Sequence, residues 1–200
     1  MSMTEFSPSI ESRPTYAPLT SHGAAPAIMV ADAAGAAALA DLAASDSSVM
    51  DKAHVVLVAP TAEGPSQIQS LRPLAVHVTP DLDAAGPMLK QLLGTARMGT
   101  QLFLAGSEGL MGHMSALATA EGLPLDAIQM EHRGTIARRM QCVHCKGITD
   151  NVTTDPFTCS HCGLTLFVRD HFSRRLGAFQ GVCVDAETPG VVPDSVEIRP

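Results

Sequence analysis

The sequence predicts an α/β fold, a small parallel sheet with helices on both faces, followed by a C-terminal ribbon built around two cysteine pairs. Two observations carry this. From position 27 to about 130, five short apolar runs alternate with helix-forming stretches. That is the pattern of strands buried on both faces by crossover helices. After Gly134 the alternation stops, and Cys142-Val143-His144-Cys145 and Cys159-Ser160-His161-Cys162 follow with thirteen residues between them.

The elements follow in order. Residues 1–26, with Pro8, Pro14, Pro18 and Pro26, cannot build a helix or a central strand and read as an extended arm, either free or laid on a partner. Ala27-Ile28-Met29-Val30-Ala31 reads as a buried strand, and an alanine-rich helix follows over 35–44 with Leu39 and Leu42 inward. The clearest buried strand is 54–59, stopped by Pro60. A short helix near 66–71 leads to a strand at 74–78, then a helix at 86–93 and a strand at 100–105 ending in Gly106. The helix 108–121 and the strand 126–130 complete an α/β unit spanning 27–134. The ribbon unit, 135–185, reads as three strands at 136–142, 148–154 and 164–170. A short helix at 171–179 and a strand at 181–185 follow, and 186–200, with Pro189, Gly190, Pro193 and Pro200, read as an extended tail.

A Cys-x-x-Cys turn brings two thiolates to one ion, and two such turns complete a tetrahedral shell. Gly147 and Gly163 stand just behind the two turns, where glycine permits a tight backbone whose N–H groups face the sulfurs. Cys142, Cys145, Cys159 and Cys162 are therefore the expected ligands of one structural Zn²⁺ in a zinc ribbon. Four cysteines also hold iron in rubredoxin-like carriers, and paired cysteines also serve as redox disulfides. Cys183, within Gly181-Val182-Cys183-Val184, reads as a buried small hydrophobe. His144 and His161 lie inside the turns, where a ring cannot easily reach an ion already held by the flanking sulfurs, so surface or supporting roles are expected.

Hydrophobic content of 46% supports a real core, and one Tyr, six Phe and no Trp make it aliphatic. A formal charge of −7 argues against nucleic acid and anionic membrane as partners. No apolar run approaches the roughly 20 residues that span a bilayer. The N-terminus has no basic start followed by an apolar core, so neither a signal peptide nor a membrane anchor is expected, and the compartment expected is cytoplasmic. Charge is uneven: residues 131–176 hold seven Arg/Lys against four Asp/Glu. That excess either balances the thiolates or forms a docking face.

Three stretches of the α/β unit resemble the pyridine-nucleotide module of ferredoxin-NADP-reductase-like proteins, in particular the phthalate-dioxygenase-reductase branch. Residues 28–38 stand at its first strand and phosphate loop. Leu104-Ala105-Gly106-Ser107-Glu108-Gly109-Leu110-Met111 stands at its strand and Cys-Gly-Pro segment, and Gln129-Met130-Glu131-His132 at a strand ending in Glu-x-Phe. The first loop departs from that pattern. Ala31-Asp32-Ala33-Ala34-Gly35-Ala36-Ala37 holds one glycine and an acid where phosphate cradling needs several glycines. Ala105 stands where that family has its cysteine. The unit reads as a degenerate nucleotide-binding fold without a cofactor-binding residue set.

Over residues 27–186 the chain is more specifically similar to the small, zinc-bearing A subunit of bacterial dimethylamine monooxygenase. The two cysteine turns and the run Val168-Arg169-Asp170-His171-Phe172-Ser173-Arg174-Arg175-Leu176-Gly177-Ala178-Phe179 carry this resemblance. It implies a subunit of an assembly that N-demethylates dimethylamine to methylamine and formaldehyde with NADPH and O₂. Flavin, haem and iron–sulfur centres are then expected on sister subunits, and no catalytic residue on this chain. His171, Arg174 and Arg175 form a compact donor cluster, expected either to be solvated or paired with Asp170, or to contact a carboxylate or phosphate of a partner. The competing functions are an NAD(P)H-binding reductase component and a rubredoxin-like electron-transfer protein.

Overall fold

A computed structural model describes residues 12–198; positions 1–11 of the expected arm and the last two residues of the tail lie outside the described residues. Five parallel strands, β1 (Ala27–Asp32), β2 (Ala53–Val58), β3 (Ala75–Thr79), β4 (Gln101–Gly106) and β5 (Ile128–His132), lie in the order β3-β2-β1-β4-β5. The crossovers are α1 (Ala36–Ser45), α2 (Gly64–Ser70), α3 (Leu82–Gly94) and α4 (Glu108–Ala120). Because alternate strand residues face opposite ways, the sheet builds two cores. Met29, Val55, Leu57 and Phe103 pack with Leu39, Leu42 and Ile68 on one face. Ile28, Val30, Val56, Leu102 and Leu104 pack with Leu89, Met111 and Met114 on the other. The expected layering is present.

Two boundaries differ from expectation for local reasons. Helix α3 begins four residues early because the Asp81 carboxylate accepts the Ala84 N–H at 2.8 Å and caps it. The stretch expected as a strand from 126 starts as a single 3-10 turn, Leu125–Ala127, and β5 runs on to His132.

The ribbon is larger than the expected three strands. Strands β6 (Arg138–Cys142), β7 (Ile148–Val152), β9 (Phe157–Thr158), β10 (Thr165–Ser173) and β11 (Ala178–Cys183) form a sheet in the order β7-β6-β11-β10-β9. Between them in sequence, β8 (Thr154–Asp155) pairs with β12 (Val196–Glu197). No helix forms at 171–179. Strand β10 carries on past His171 to Ser173, and a four-residue turn leads straight into β11, with Ser173 opposite Ala178. Phe172 meets Phe179 edge-on at 4.9 Å, a cross-strand contact that a helix would not make. Gly177 closes the turn at φ +61°, and a Cβ there would strike the Gly112 carbonyl of α4. Reciprocally, a Cβ on Gly112 would lie 2.6 Å from the Gly177 carbonyl. The hairpin is thus seated backbone to backbone on the α/β layer.

The described parts of both flanking segments, expected to be extended, make contacts with the body of the chain. Ala17 N–H donates to Met130 O at 3.3 Å, Leu19 N–H to Glu131 Oε2 at 2.8 Å, and the Leu19 side chain is buried in the core. At the other end Ile198 is buried among Met140, Phe157 and Leu166, and its N–H donates to Thr153 O at 2.9 Å.

A buried chain of charges ties arm, α/β layer and ribbon together. Arg138 on β6 faces Glu108 at 3.5 Å and Asp170 at 2.8 Å, while its guanidinium lies 4.6 Å from the Phe179 ring centre. Arg13 reaches Asp170 at 3.5 Å, and Tyr16 Oη donates to Glu108 Oε1 at 3.0 Å. Glu108 and Arg138 are both only 3% exposed. Burial pushes the Glu108 carboxyl up, and the Arg138 charge only partly opposes it. Part of the basic excess over 131–176 is therefore structural: Arg138 is spent here, Arg139 pairs with Asp150, and Arg133 with Glu131 and Asp41.

Candidate metal centre

The four expected cysteines converge. The Sγ atoms of Cys142, Cys145, Cys159 and Cys162 all lie within 4.8 Å of one another, with Cys142 to Cys162 at 3.8 Å and Cys145 to Cys159 at 3.7 Å. Thiolates about 2.3 Å from a tetrahedral ion sit about 3.8 Å apart, so the donor set fits one such ion, and no further His, Cys, Asp or Glu joins it among the described residues. The four cysteines are positioned to bind a metal ion.

The two turns share one backbone plan. Lys146 N–H donates to Cys142 O and Gly163 N–H to Cys159 O, both at 3.0 Å. Cys142 N–H returns to Gly147 O and Cys159 N–H to Leu164 O, both at 2.9 Å. The left-handed residue follows the second cysteine in each turn: Gly163 at φ +74°, but Lys146, not Gly147, at φ +64°. The expectation that Gly147 relieves the first turn is corrected. Gly147 serves a different contact, since a Cβ there would lie 2.5 Å from the His161 ring. Comparing the two turns from the second cysteine onward, rather than by nearest glycine, would have found this in the sequence.

His161 spans the turns. Its Nε2 lies 2.7 Å from Ile148 O, and because a carbonyl only accepts, Nε2 carries the proton. Ser160 N–H donates to Thr149 Oγ1 at 3.1 Å and reinforces the same link. His144 is exposed. Burial opposes ionisation of Cys159, but the N–H groups of Cys162 and His161 and the neighbouring thiols outweigh it and hold it at about 6. Leu164 N–H favours ionisation of Cys162, yet burial and the crowded sulfurs of Cys159, Cys145 and Cys142 push it up to about 12. Four thiolates cannot share this space without a cation. Cys183 is not a buried hydrophobe: it is half-exposed and donates its S–H to Asp185 Oδ1 at 3.1 Å.

His171 near the end of β10 and Arg174 and Arg175 in the hairpin turn are all exposed. None of them pairs with Asp170, which Arg138 and Arg13 hold.

The degenerate loop has its own geometry. A crevice of about 560 Å³ opens at the carboxyl ends of the strands where β1 and β4 part, the place where open α/β sheets bind ligands. Asp32 Oδ1 accepts the N–H groups of Ala34 at 3.1 Å and Gly35 at 2.9 Å, and Oδ2 accepts that of Ser107 at 2.9 Å. One side chain thereby takes donors from both loops flanking the parting. The single glycine of the loop, Gly35, packs its Cα against the Ala105 carbonyl, where a Cβ would not fit. Its role is helix-on-strand packing.

The amino-acid sequence matches the protein-family model for the N-terminal domain of dimethylamine monooxygenase subunit DmmA-like proteins over residues 8–128, and that for their C-terminal domain over 139–182. The chain belongs to the DmmA-like family. It is 43% identical over 108 residues to the heme-dependent oxidative N-demethylase delta subunit of Ectopseudomonas mendocina (strain ymp), a match covering 53% of this chain and 62% of that protein. The chain thus aligns with less than two thirds of that relative's length. No solved structure matches. In this member of the family, none of the helices among the described residues is long and apolar enough to cross a membrane.

Proposed function

We infer that this chain is a non-catalytic, zinc-stabilised subunit of a cytoplasmic, NADPH- and O₂-dependent assembly that N-demethylates dimethylamine. The reading takes 27–134 and 135–185 as its two working units and leaves the redox cofactors to sister subunits. The observation that carries it is the closed set of four sulfurs within 4.8 Å of one another, a stapling site without an open position for substrate. Membership of the DmmA-like family and the name of the delta-subunit relative supply the demethylase context. Zinc would be held by Cys142, Cys145, Cys159 and Cys162, and would supply folding energy and neutralise the thiolates.

Partner contact is assigned to His171, Arg174 and Arg175. Their hairpin is seated on Gly112, so the guanidinium groups are offered from a fixed base. Arginine pairs with carboxylate or phosphate in a bidentate fork, and losing such a contact at a buried interface costs roughly 2–5 kcal/mol. Metal analysis of the purified chain should give about one zinc per chain. Stoichiometric iron with visible bands would instead support the rubredoxin-like carrier. Arg174→Ala combined with Arg175→Ala should weaken co-elution with the sister subunits and lower NADPH-dependent dimethylamine turnover, with zinc content unchanged. Unaltered co-elution and turnover would place the docking face elsewhere.

A further inference from the structure

The loops entering the parallel strands lie at the end of the sheet opposite the crevice. Three large apolar side chains stand exposed in these loops: Leu74 before β3, Met98 before β4 and Leu125 before β5, at 62%, 102% and 48%. Met98 is not on a slack tip. Arg97 N–H donates to Thr100 Oγ1 at 3.2 Å, and that hydroxyl and the Thr100 N–H both return to Arg97 O, at 2.7 and 3.0 Å. Thr100 itself is buried, so the turn holds Met98 outward as a fixed knob.

Between Leu74 and this turn runs a groove of about 310 Å³ with Ile28 and Leu92 among its lining. The groove's titratable lining is Lys52, His54 and Arg97, and no Asp or Glu joins it. Neither Lys52 nor Arg97 makes an ion pair among the described residues. Asp51 lines a separate groove with Arg72, while Asp126 and Glu121, the latter paired with Lys90 at 3.1 Å, line an adjoining groove on the other side of Arg97. A basic, acid-free apolar groove on a chain of net charge −7 is a local exception to the molecule's charge.

We propose that this end of the sheet is a docking surface for an acidic, apolar segment of a partner protein, with an apolar side chain in the groove and a carboxylate on Lys52 or Arg97. The inference rests on the subunit reading and adds a second contact face, remote from the hairpin. Charge complementarity selects the acidic group. The size of the groove selects the class of partner: it holds one or two side chains, and a small ligand filling it would leave Leu74 and Met98 in water on either side.

The test uses the full chain in its assembly, with subunits that co-purify stoichiometrically and are identified by peptide mass. Carbodiimide, a zero-length cross-linker, should join Lys52 to an Asp or Glu of a partner subunit. Amide exchange over 72–78 and 92–101 should slow in the assembly relative to the free chain. Arg97→Glu and Met98→Glu, both at exposed positions, should each weaken association about tenfold or more without moving the melting temperature of the free chain. Cross-links from Lys52 only to a second copy of the same chain would overturn the proposal in favour of self-association. An assembly indifferent to both substitutions but broken by the Arg174/Arg175 double substitution would overturn this docking face and leave the subunit reading standing. A chain that never co-purifies with another subunit would overturn both.

Discussion

Two places in this molecule gather backbone N–H groups around a small centre, and they resolve it in opposite ways. Where β1 and β4 part, the amides of Ala34, Gly35 and Ser107 converge on the Asp32 carboxylate of the same chain. At the cysteine turns, the amides of Cys162 and His161 converge on Cys159, and Gly147 N–H reaches Cys145 Sγ at 3.4 Å. The first centre is satisfied internally: donors and charge are matched without any ligand. The second gathers four ionisable sulfurs and lacks a counter-charge, so it calls for a cation. Similar tight loops therefore give a closed, self-contained corner in one layer and an ion site in the other. Which one results depends on whether the chain supplies the charge that its amides do not.

The largest break in that comparison is Cys159→Ser or chelation. Structural zinc contributes on the order of 10 kcal/mol to small modules of this kind. Limited proteolysis should then cut within 138–183 while helical circular dichroism from the α/β layer persists. A protease-resistant ribbon in the variant would remove the metal from the account.

Next comes the charge chain that joins the two layers. Arg138→Ala leaves the buried Glu108 and the half-buried Asp170 without their shared guanidinium, and breaking a buried pair costs about 3–5 kcal/mol. The denaturant midpoint should fall accordingly, with metal content retained. A change under about 1 kcal/mol, well below the cost of breaking a buried pair, would show that Arg13 and Tyr16 suffice to hold the junction.

At the self-contained corner, Asp32→Ala orphans three N–H groups. Bonds to a charged acceptor are worth about 1.5–3 kcal/mol each before relaxation and water recover part, so about 2–3 kcal/mol is expected in thermal unfolding. With Asp32 in place, calorimetric titration with NADPH should show no saturable binding at submillimolar nucleotide. A low-micromolar dissociation constant would revive the reductase reading.

The smallest effect sharpens the picture of the α/β layer alone. His54 Nδ1 faces His77 Nε2 at 3.4 Å between nearly parallel rings. Burial, with His54 adding to it, holds His77 below its ordinary value of 6.5. The unfolded chain then takes up that proton first, so stability is full above about pH 6.5 and falls as the pH drops below it. His77→Gln should flatten the decline of the melting temperature between about pH 7 and 5, the span in which imidazole titrates. An unchanged slope would assign the acid sensitivity to other groups.

The amino-acid sequence by itself determined the alternating layer and the four-sulfur cluster. Both are written in local terms: apolar runs at strand and helix spacing, and ligand pairs three residues apart in turns that need little else. Asp32 was visible as an acid in the would-be phosphate loop, but its partner Ser107 lies 75 residues away, so its role as an internal occupant was not. Tertiary structure decided the rest. Residues 171–179 read as helical in isolation. They became a hairpin because Phe172 and Phe179 pack across the strands and Gly177 seats on Gly112. The Pro-rich arm had no local structure to betray it, and its fixing contacts, Tyr16 to Glu108 and Ser12 to Phe172, span 92 and 160 residues. The basic excess over 131–176 read as thiolate balance or a docking face, yet Arg138 lies buried between the carboxylates of Glu108 and Asp170 and serves neither. Local periodicity survives in a sequence because neighbours along the chain enforce it. A contact between distant residues leaves no such trace, because either partner alone is compatible with many structures.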